Sequence, residues 1–447
     1  MMENTRTRLF ILFIALVVVA VAVWATTYAI QGDSSLLRNV AIDDARITPN
    51  ADGSNDITTI RYEIARNATV SIYFENGAGE RFYFREARPR AEGIYSVNFS
   101  GVVEGYKLPG ETISGEILAR LLQNGTYTWT IAATDTEGMN QMVQGQLIIA
   151  EADTALPELR NFSLDKTTFT PNQDGINDRV LAAFELMKEV STLRVYLLAP
   201  DGSQYPIEEK ERGIPVNMPG RHEYDYEGGV DDKATPPPDG IYPVIAYAED
   251  AEGQKIQVEQ QLTIQYGGVP RADIISPPAG HTIEFNVTSV ALCDTLYFTA
   301  TVRNYGTTPI RTTGPIPGTV YDSDWNYNTL GWHTESGAWR LAIGYENEIF
   351  NYPYRWAIGN PDELTMIEGD LYLMPDQRVV ITGGIRIINS LGIRNPQPVW
   401  AGLIHEDVEI SQFNNRVDTQ SILIDLPDEN NFTPCPAREI PARPQAE

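Results

Sequence analysis

Thr48-Pro-Asn-Ala-Asp-Gly-Ser-Asn-Asp56 returns 122 residues later as Thr170-Pro-Asn-Gln-Asp-Gly-Ile-Asn-Asp178. Each copy leads into a run whose apolar residues alternate: Val70, Ile72 and Phe74 in the first, Leu193, Val195 and Leu197 in the second. Period-two alternation places those residues on one face of a half-buried strand. Gly77-Ala-Gly79 and Pro200-Asp-Gly202 then supply turns. The units also close alike. Asn124-Gly-Thr-Tyr-Thr-Trp-Thr-Ile131 answers Asp239-Gly-Ile-Tyr-Pro-Val-Ile245, and Asp135-Thr-Glu-Gly138 answers Asp250-Ala-Glu-Gly253, now 115 residues apart. The shorter offset leaves the first unit with a longer middle, around residues 105–122. Constant order with small length changes marks a duplicated β-module with variable loops.

These motifs resemble the Ig-like domain of the flagellar hook-capping protein (FlgD-like) and its relatives in bacterial surface proteins. That family opens with Pro-Asn-Gly-Asp-Gly-x-Asn-Asp and ends with an Asp-Gly-Thr-Tyr strand and an Asp-x-x-Gly turn. Here Ala51 and Gln173 replace the first glycine. The second copy keeps a version of the family's middle segment, Tyr226-Glu-Gly-Gly-Val-Asp-Asp232 before Pro236-Pro-Pro-Asp-Gly240; the first has no clear equivalent. The resemblance covers residues 38–266 and implies two antiparallel β-sandwiches. It implies nothing flagellar, because a fold does not fix a function.

The Asn/Asp-rich openings admit two chemistries. Asn50, Asp52 and Asp56, with Asn172, Asp174 and Asp178, offer hard oxygens of the kind Ca²⁺ takes at a glycine-tightened turn. Alternatively these side chains bond nearby backbone amides in Asx turns, while Gly53 and Gly175 supply positive φ.

Thirty-three basic residues against 60 acidic ones give a net charge of −27 over 447 residues, and only six of the cations are Lys. Nucleic acid and anionic lipid are excluded as electrostatic partners, since both need clustered cations. Residues 9–30, LFILFIALVVVAVAVWATTYAI, follow Arg6 and Arg8 without a charge. That length suits a membrane-spanning helix with its N-terminus in the cytoplasm, and cleavage after Ala25 is the competing reading. Either puts the remainder outside the cytoplasm: a single-pass cell-membrane protein, or a secreted one if cleaved. Export permits a disulfide between Cys293 and Cys435, the only two cysteines.

Beyond residue 270 Lys disappears and aromatics crowd. Leu296, Phe298, Ala300 and Val302 alternate, and residues 378–389 and 399–410 are further β-rich runs. Residues 297–310 are similar to a strand-turn-strand of CARDB-type Ig-like adhesion domains. Residues 321–356 hold ten aromatics in 36 positions, against about four from the chain average. Trp339, Trp356 and Trp400 lie in strand-like runs and are expected in the core. Tyr321, Trp325, Tyr327 and Trp332 lie among Asn, Asp, Ser and Gly and are the ligand candidates, with ring faces for sugars or for a protein partner. No nucleophile elbow, zinc helix, P-loop or dinucleotide fingerprint occurs, and His405-Glu406 lacks a second His four residues on.

The expected fold is all-β: an N-terminal transmembrane helix (1–32), then three Ig-like antiparallel sandwiches at 38–152, 157–266 and 270–426, and a flexible tail at 427–447. The expected function is non-enzymatic: a membrane-anchored stalk presenting the third domain to a cell-surface glycan or envelope protein, with Ca²⁺ as the one candidate cofactor. The alternatives are a structural scaffold of the cell envelope, and a glycan-processing enzyme or its accessory.

Overall fold

The computed structural model describes residues 35–210, 214–346, 351–427, 433–441 and 443. The apolar run at 9–30 and Phe350 lie outside them. Among the described residues every regular element is a strand, and no helix is long and apolar enough to cross a membrane.

The chain folds around three cores in sequence order. In the first unit Leu37–Ile42, Thr58–Ile64 and Gly93–Phe99 form one sheet. Arg46–Ile47, Asn140–Ile149, Gly125–Asp135, Ala68–Glu75 and Arg81–Arg90 form the other. Val70, Ile72 and Phe74 point inward and meet Ile60, Phe99, Tyr127 and Trp129. Burying each such side chain contributes about 1.5–3 kcal/mol. In the second unit Val195 and Leu197 do the same against Phe184, Tyr224 and Val244, while Leu193 is only partly buried.

The longer middle of the first unit has a definite role. Val102–Glu104 and Glu116–Leu121 pair with each other, and the latter strand then adds to Lys255–Ile264 at the edge of the second unit. Gly115, at φ +87°, makes that approach possible, since a Cβ there would sit 2.2 Å from the Gln257 carbonyl oxygen. Gln254 completes the weld: its Oε1 accepts from Leu121 N at 3.2 Å, and its Nε2 donates to Asp153 O (3.2 Å) and Ala155 O (2.8 Å) in the linker. Lys188 Nζ donates to Ala155 O (3.1 Å), and lies 2.9 Å from Asp250 and 3.0 Å from Glu252.

The third unit sets Ala272–Ile274, Thr295–Asn304, Arg378–Arg386 and Val320–Asp322 against Ser289–Ala291, Val417–Asp425, Gln397–His405, Trp339–Tyr345 and Tyr354–Ala357. Its core holds Phe298, Tyr354 and Trp356, with Trp339 near its margin at 6% exposure. Trp400, at 7% exposure, packs with Ala342 and Tyr352 in a small cluster of its own. A disulfide joins Cys293 to Cys435, with Cα atoms 5.4 Å apart.

One expectation needs amending. The sandwiches are not wholly antiparallel: Arg46–Ile47, Thr168–Phe169 and Ser289–Ala291 each run parallel to the last strand of their own unit, and Val320–Asp322 runs parallel to Arg378–Arg386. Within the β-rich run 399–410, Gln397–His405 is a central strand buried on both faces.

Candidate functional site

The aromatic loop leaves the third sandwich at Asp322. This carboxylate is buried and takes both a 2.9 Å and a 2.6 Å hydrogen bond from Arg386. Ser323 fixes the exit: its amide donates to Arg386 O (2.9 Å) and its hydroxyl to Asn389 Oδ1 (2.8 Å). Past that point the backbone turns on itself, with Trp325 N donating to Asp322 O (2.9 Å), Tyr327 N to Pro353 O (3.0 Å) and Trp332 N to Tyr327 O (3.1 Å).

The four ligand candidates separate. Tyr321 belongs to the core and leaves the set: it is 0% exposed, its hydroxyl donates to Arg355 O at 2.7 Å, and its ring packs on Tyr354 and Trp356. Tyr327 is half-buried beneath the Arg355 guanidinium, 4.1 Å from the ring centroid. Trp325 backs onto the core and walls a cleft of about 730 Å³ together with Asp324, Asn326, Tyr345, Glu346 and Asn389. Trp332 walls a different, apolar cleft of about 1090 Å³ with Ile316, Leu364, Met366 and Leu371.

Tyr345, Glu346 and Asn389 were not legible as partners of Trp325. They come from the end of Trp339–Tyr345 and from the turn after Arg378–Arg386, far off in sequence, and only the sheet brings them together. Arg355, which covers Tyr327, is itself held by Glu406 through two 2.8 Å bonds. Glu406 also accepts from Arg340 Nη1 at 3.2 Å, and both of these side chains are essentially buried. Breaking such a buried cluster from one side costs about 3–5 kcal/mol. Thus Glu406 is a structural carboxylate, and burial pushes its neighbour His405 down to about 4.

In the Asn/Asp turns most side-chain oxygens accept from nearby backbone amides. In the first, Asp56 accepts from Asn50 N (3.1 Å) and Gly53 N (2.7 Å), Asn50 Oδ1 from Asp52 N (3.1 Å), and Asp52 Oδ1 from Ser54 N (2.8 Å). In the second, Asp178 accepts from Asn172 N (3.2 Å) and Gly175 N (2.6 Å), Asn172 Oδ1 from Asp174 N (3.1 Å), and Asp174 Oδ1 from Ile176 N (2.8 Å). This donor set fits two Asx turns that satisfy themselves. Among the described residues no group of three or more His, Cys, Asp or Glu side chains could hold a metal ion. Ala51 and Gln173 stand at φ +59° and +56°, the region glycine favours, where the family resemblance expects glycine.

The second turn is also a joint. Arg311 Nε donates to Asp174 O (2.6 Å) and Tyr372 Oη to Asp174 Oδ2 (2.9 Å), while His405 Nε2 meets Gln173 O at 2.7 Å. His405 pairs with Trp339 at one end of Trp339–Tyr345, whereas Tyr345 at the other end walls the Trp325 cleft. At about 3.3 Å per residue, that cleft lies about 20 Å from the joint.

No protein-family model and no curated protein matches the chain. Among solved structures, a tetra-tandem repeat from the extending region of a large adhesion protein is 12% identical, over 83% of this chain and 71% of that one, with a TM-score of 0.18. A Ca²⁺-stabilized adhesin with which an Antarctic bacterium binds ice is 10% identical over 79% and 74%, with a TM-score of 0.23. SGBP-B of the Bacteroides ovatus mixed-linkage glucan utilization locus, in complex with a mixed-linkage heptasaccharide, is 9% identical over 80% and 61%, with a TM-score of 0.15. At such scores these likenesses carry no argument, and the reading of this chain rests on its own residues.

Proposed function

We infer that this chain is a non-enzymatic, membrane-anchored surface protein whose third domain binds carbohydrate in the Trp325 cleft. In this reading residues 9–30 anchor it, and two hook-capping-type Ig-like modules raise the third domain outside the cytoplasm. The cleft carries the proposal. It joins two aromatic rings, Trp325 and Tyr345, to carboxylates and amides at Asp324, Glu346, Asn326 and Asn389, at the end of the domain away from the stalk. Sugars present both chemistries at once, C–H faces for rings and hydroxyls for polar groups. A few well-placed polar groups among apolar ones is the usual make-up of a small-ligand site.

The test is a glycan array with the full chain in detergent, followed by calorimetry on the sugars retained. Trp325→Ala is expected to weaken binding about tenfold or more, as loss of a central aromatic contact does. Retention of no glycan, or equal affinity in the variant at unchanged melting temperature, removes the reading.

A further inference from the structure

The segment after the third sandwich comes back over the tryptophans. Pro436, next to the bridged Cys435, accepts from Arg386 Nη2 at 2.9 Å through its carbonyl. Arg438 Nη1 reaches Asp322 Oδ1 at 3.2 Å, and its guanidinium stands 5.6 Å from the centre of the Trp325 ring. Arg443 lies 4.2 Å over Trp332, with Nη2 3.3 Å from Glu335 Oε1. Pro441 and the two arginines wall a cavity of about 360 Å³ against Ile316, Leu330 and Trp332. Residues 433–441 carry no strand pairing and are mostly exposed.

Two independent features define what this arrangement does. The contacts to the indole faces are guanidinium–ring pairs at the surface, individually weak and readily exchanged. The disulfide nevertheless holds the segment in place, because Arg438 is only three residues from Cys435 and so stays at high local concentration. Ring contacts, one ion pair to Asp322 and a covalent tether together hold a cover over the two rings. The expected tail at 427–447 is therefore not free in its described part.

We propose that Thr433–Pro441 with Arg443 is a tethered strap that competes with an external ligand for the faces of Trp325 and Trp332. The inference rests on the Trp325 cleft argued above as the carbohydrate site, and adds Trp332, which walls a separate cleft. A ligand meets the open state only, so its apparent affinity is lowered by the fraction of molecules open.

The experiment uses the full chain and two variants: Arg438→Ala with Arg443→Ala, and a chain ending at Ala437, which keeps the disulfide. Acrylamide quenching of tryptophan fluorescence reads the cover directly. Trp129, Trp339, Trp356 and Trp400 are buried, and Trp24 is common to all three proteins, so any rise reports Trp325 and Trp332. The quenching constant is expected to rise about twofold in both variants at unchanged melting temperature. Unchanged quenching in both overturns the strap. Cellohexaose and laminarihexaose are then titrated, and about tenfold tighter binding by the variants is expected. Raised quenching with equal sugar affinity overturns the competition. Raised quenching with no hexasaccharide bound by any of the three proteins upholds the strap and removes the carbohydrate reading.

Discussion

The turn at residues 48–56 faces solvent, whereas its copy at 170–178 lies beneath the third sandwich. Four of their internal amide-to-side-chain hydrogen bonds correspond, and the second turn adds one from Asp174 N to Asp178 Oδ1 at 3.3 Å. Their surroundings do not correspond. A Cβ on Gly53 would meet nothing within 4 Å, while one on Gly175 would sit 2.2 Å from the Ser336 carbonyl oxygen. Gly337 faces the same joint from the other side, and its Cβ would come 2.1 Å from the Asp174 carbonyl carbon. Asn172 and Asp174 are 2% and 4% exposed, so two side chains of the second turn are interior although Gly175 still meets solvent. A motif whose side-chain oxygens are mostly answered by its own amides can be buried in part at little polar cost, and here the Tyr372 hydroxyl answers Asp174 Oδ2. Duplication thus supplied a docking element that needed new contacts only on its outside.

The largest break in this comparison is expected from alanine at the glycines. Gly53→Ala meets only the strain of φ +83° and should cost about 1 kcal/mol. Gly175→Ala and Gly337→Ala add a backbone collision, and about 3 kcal/mol is expected by chemical denaturation. Equal losses at positions 53 and 175 would mean that the joint is not formed in solution.

Acidity should give a smaller effect, with opposing signs on the two sides of the joint. Burial, with Asp174 beside it, pushes Asp178 up to about 6 from 3.8. A raised folded value means stability that is full below about pH 4 and lost as pH rises through 6. Burial pushes His405 the other way, from 6.5 to about 4, so its contribution is present above about pH 6.5 and lost as pH falls through 4. The two nearly cancel in the parent. Asp178→Asn should leave stability rising between pH 4 and 6.5, and His405→Gln should leave it falling over that range. Parallel profiles for both variants in urea melts would refute the pairing.

The smallest effect is expected from chelation. With the turn oxygens bonded to amides, EDTA or millimolar Ca²⁺ should move the melting temperature by less than about 1 °C. A rise of several degrees with Ca²⁺ would mean that the turns open to an ion.

The parts of this fold legible from sequence are those written locally. Period-two runs such as Val70–Phe74, and the turns between them, depend on neighbours along the chain. The joint is not local: the two copies differ only at Ala51/Gln173 and Ser54/Ile176, and neither exchange names the third sandwich as the partner. Nor could the longer middle of the first unit announce that it would pair with Lys255–Ile264, because that pairing uses the backbone and leaves no side-chain signature. Tyr321 illustrates the same limit at the candidate site. Asp322, Ser323 and Asp324 gave it a loop-like context, yet it sits in a three-residue strand whose partner, Arg378–Arg386, lies over fifty residues away. Trp325, one turn further on, does stand at a cleft, because Asp322 and Ser323 are pinned and the chain after them is not paired.

The parallel pairing of an early strand with the last strand of each unit has a mechanical consequence. In the first, Ile148 N bonds Ala45 O at 2.8 Å and Ala150 N bonds Ile47 O at 3.1 Å. In the second, Thr263 N bonds Thr167 O at 2.8 Å and Gln265 N bonds Phe169 O at 3.0 Å. In the third, Leu423 N bonds Thr288 O at 2.9 Å and Leu292 N bonds Asp425 O at 3.1 Å. Tension along the chain draws the pairs of the first two units in opposite directions along their common axis, so their bonds lie across the pull and are strained together. An antiparallel pair pulled from its open end would surrender the same bonds one at a time. The first two units, joined in series in this way, pass a pull through both bonds of each pair at once, while in the third the Cys293–Cys435 bridge carries it past Val417–Asp425.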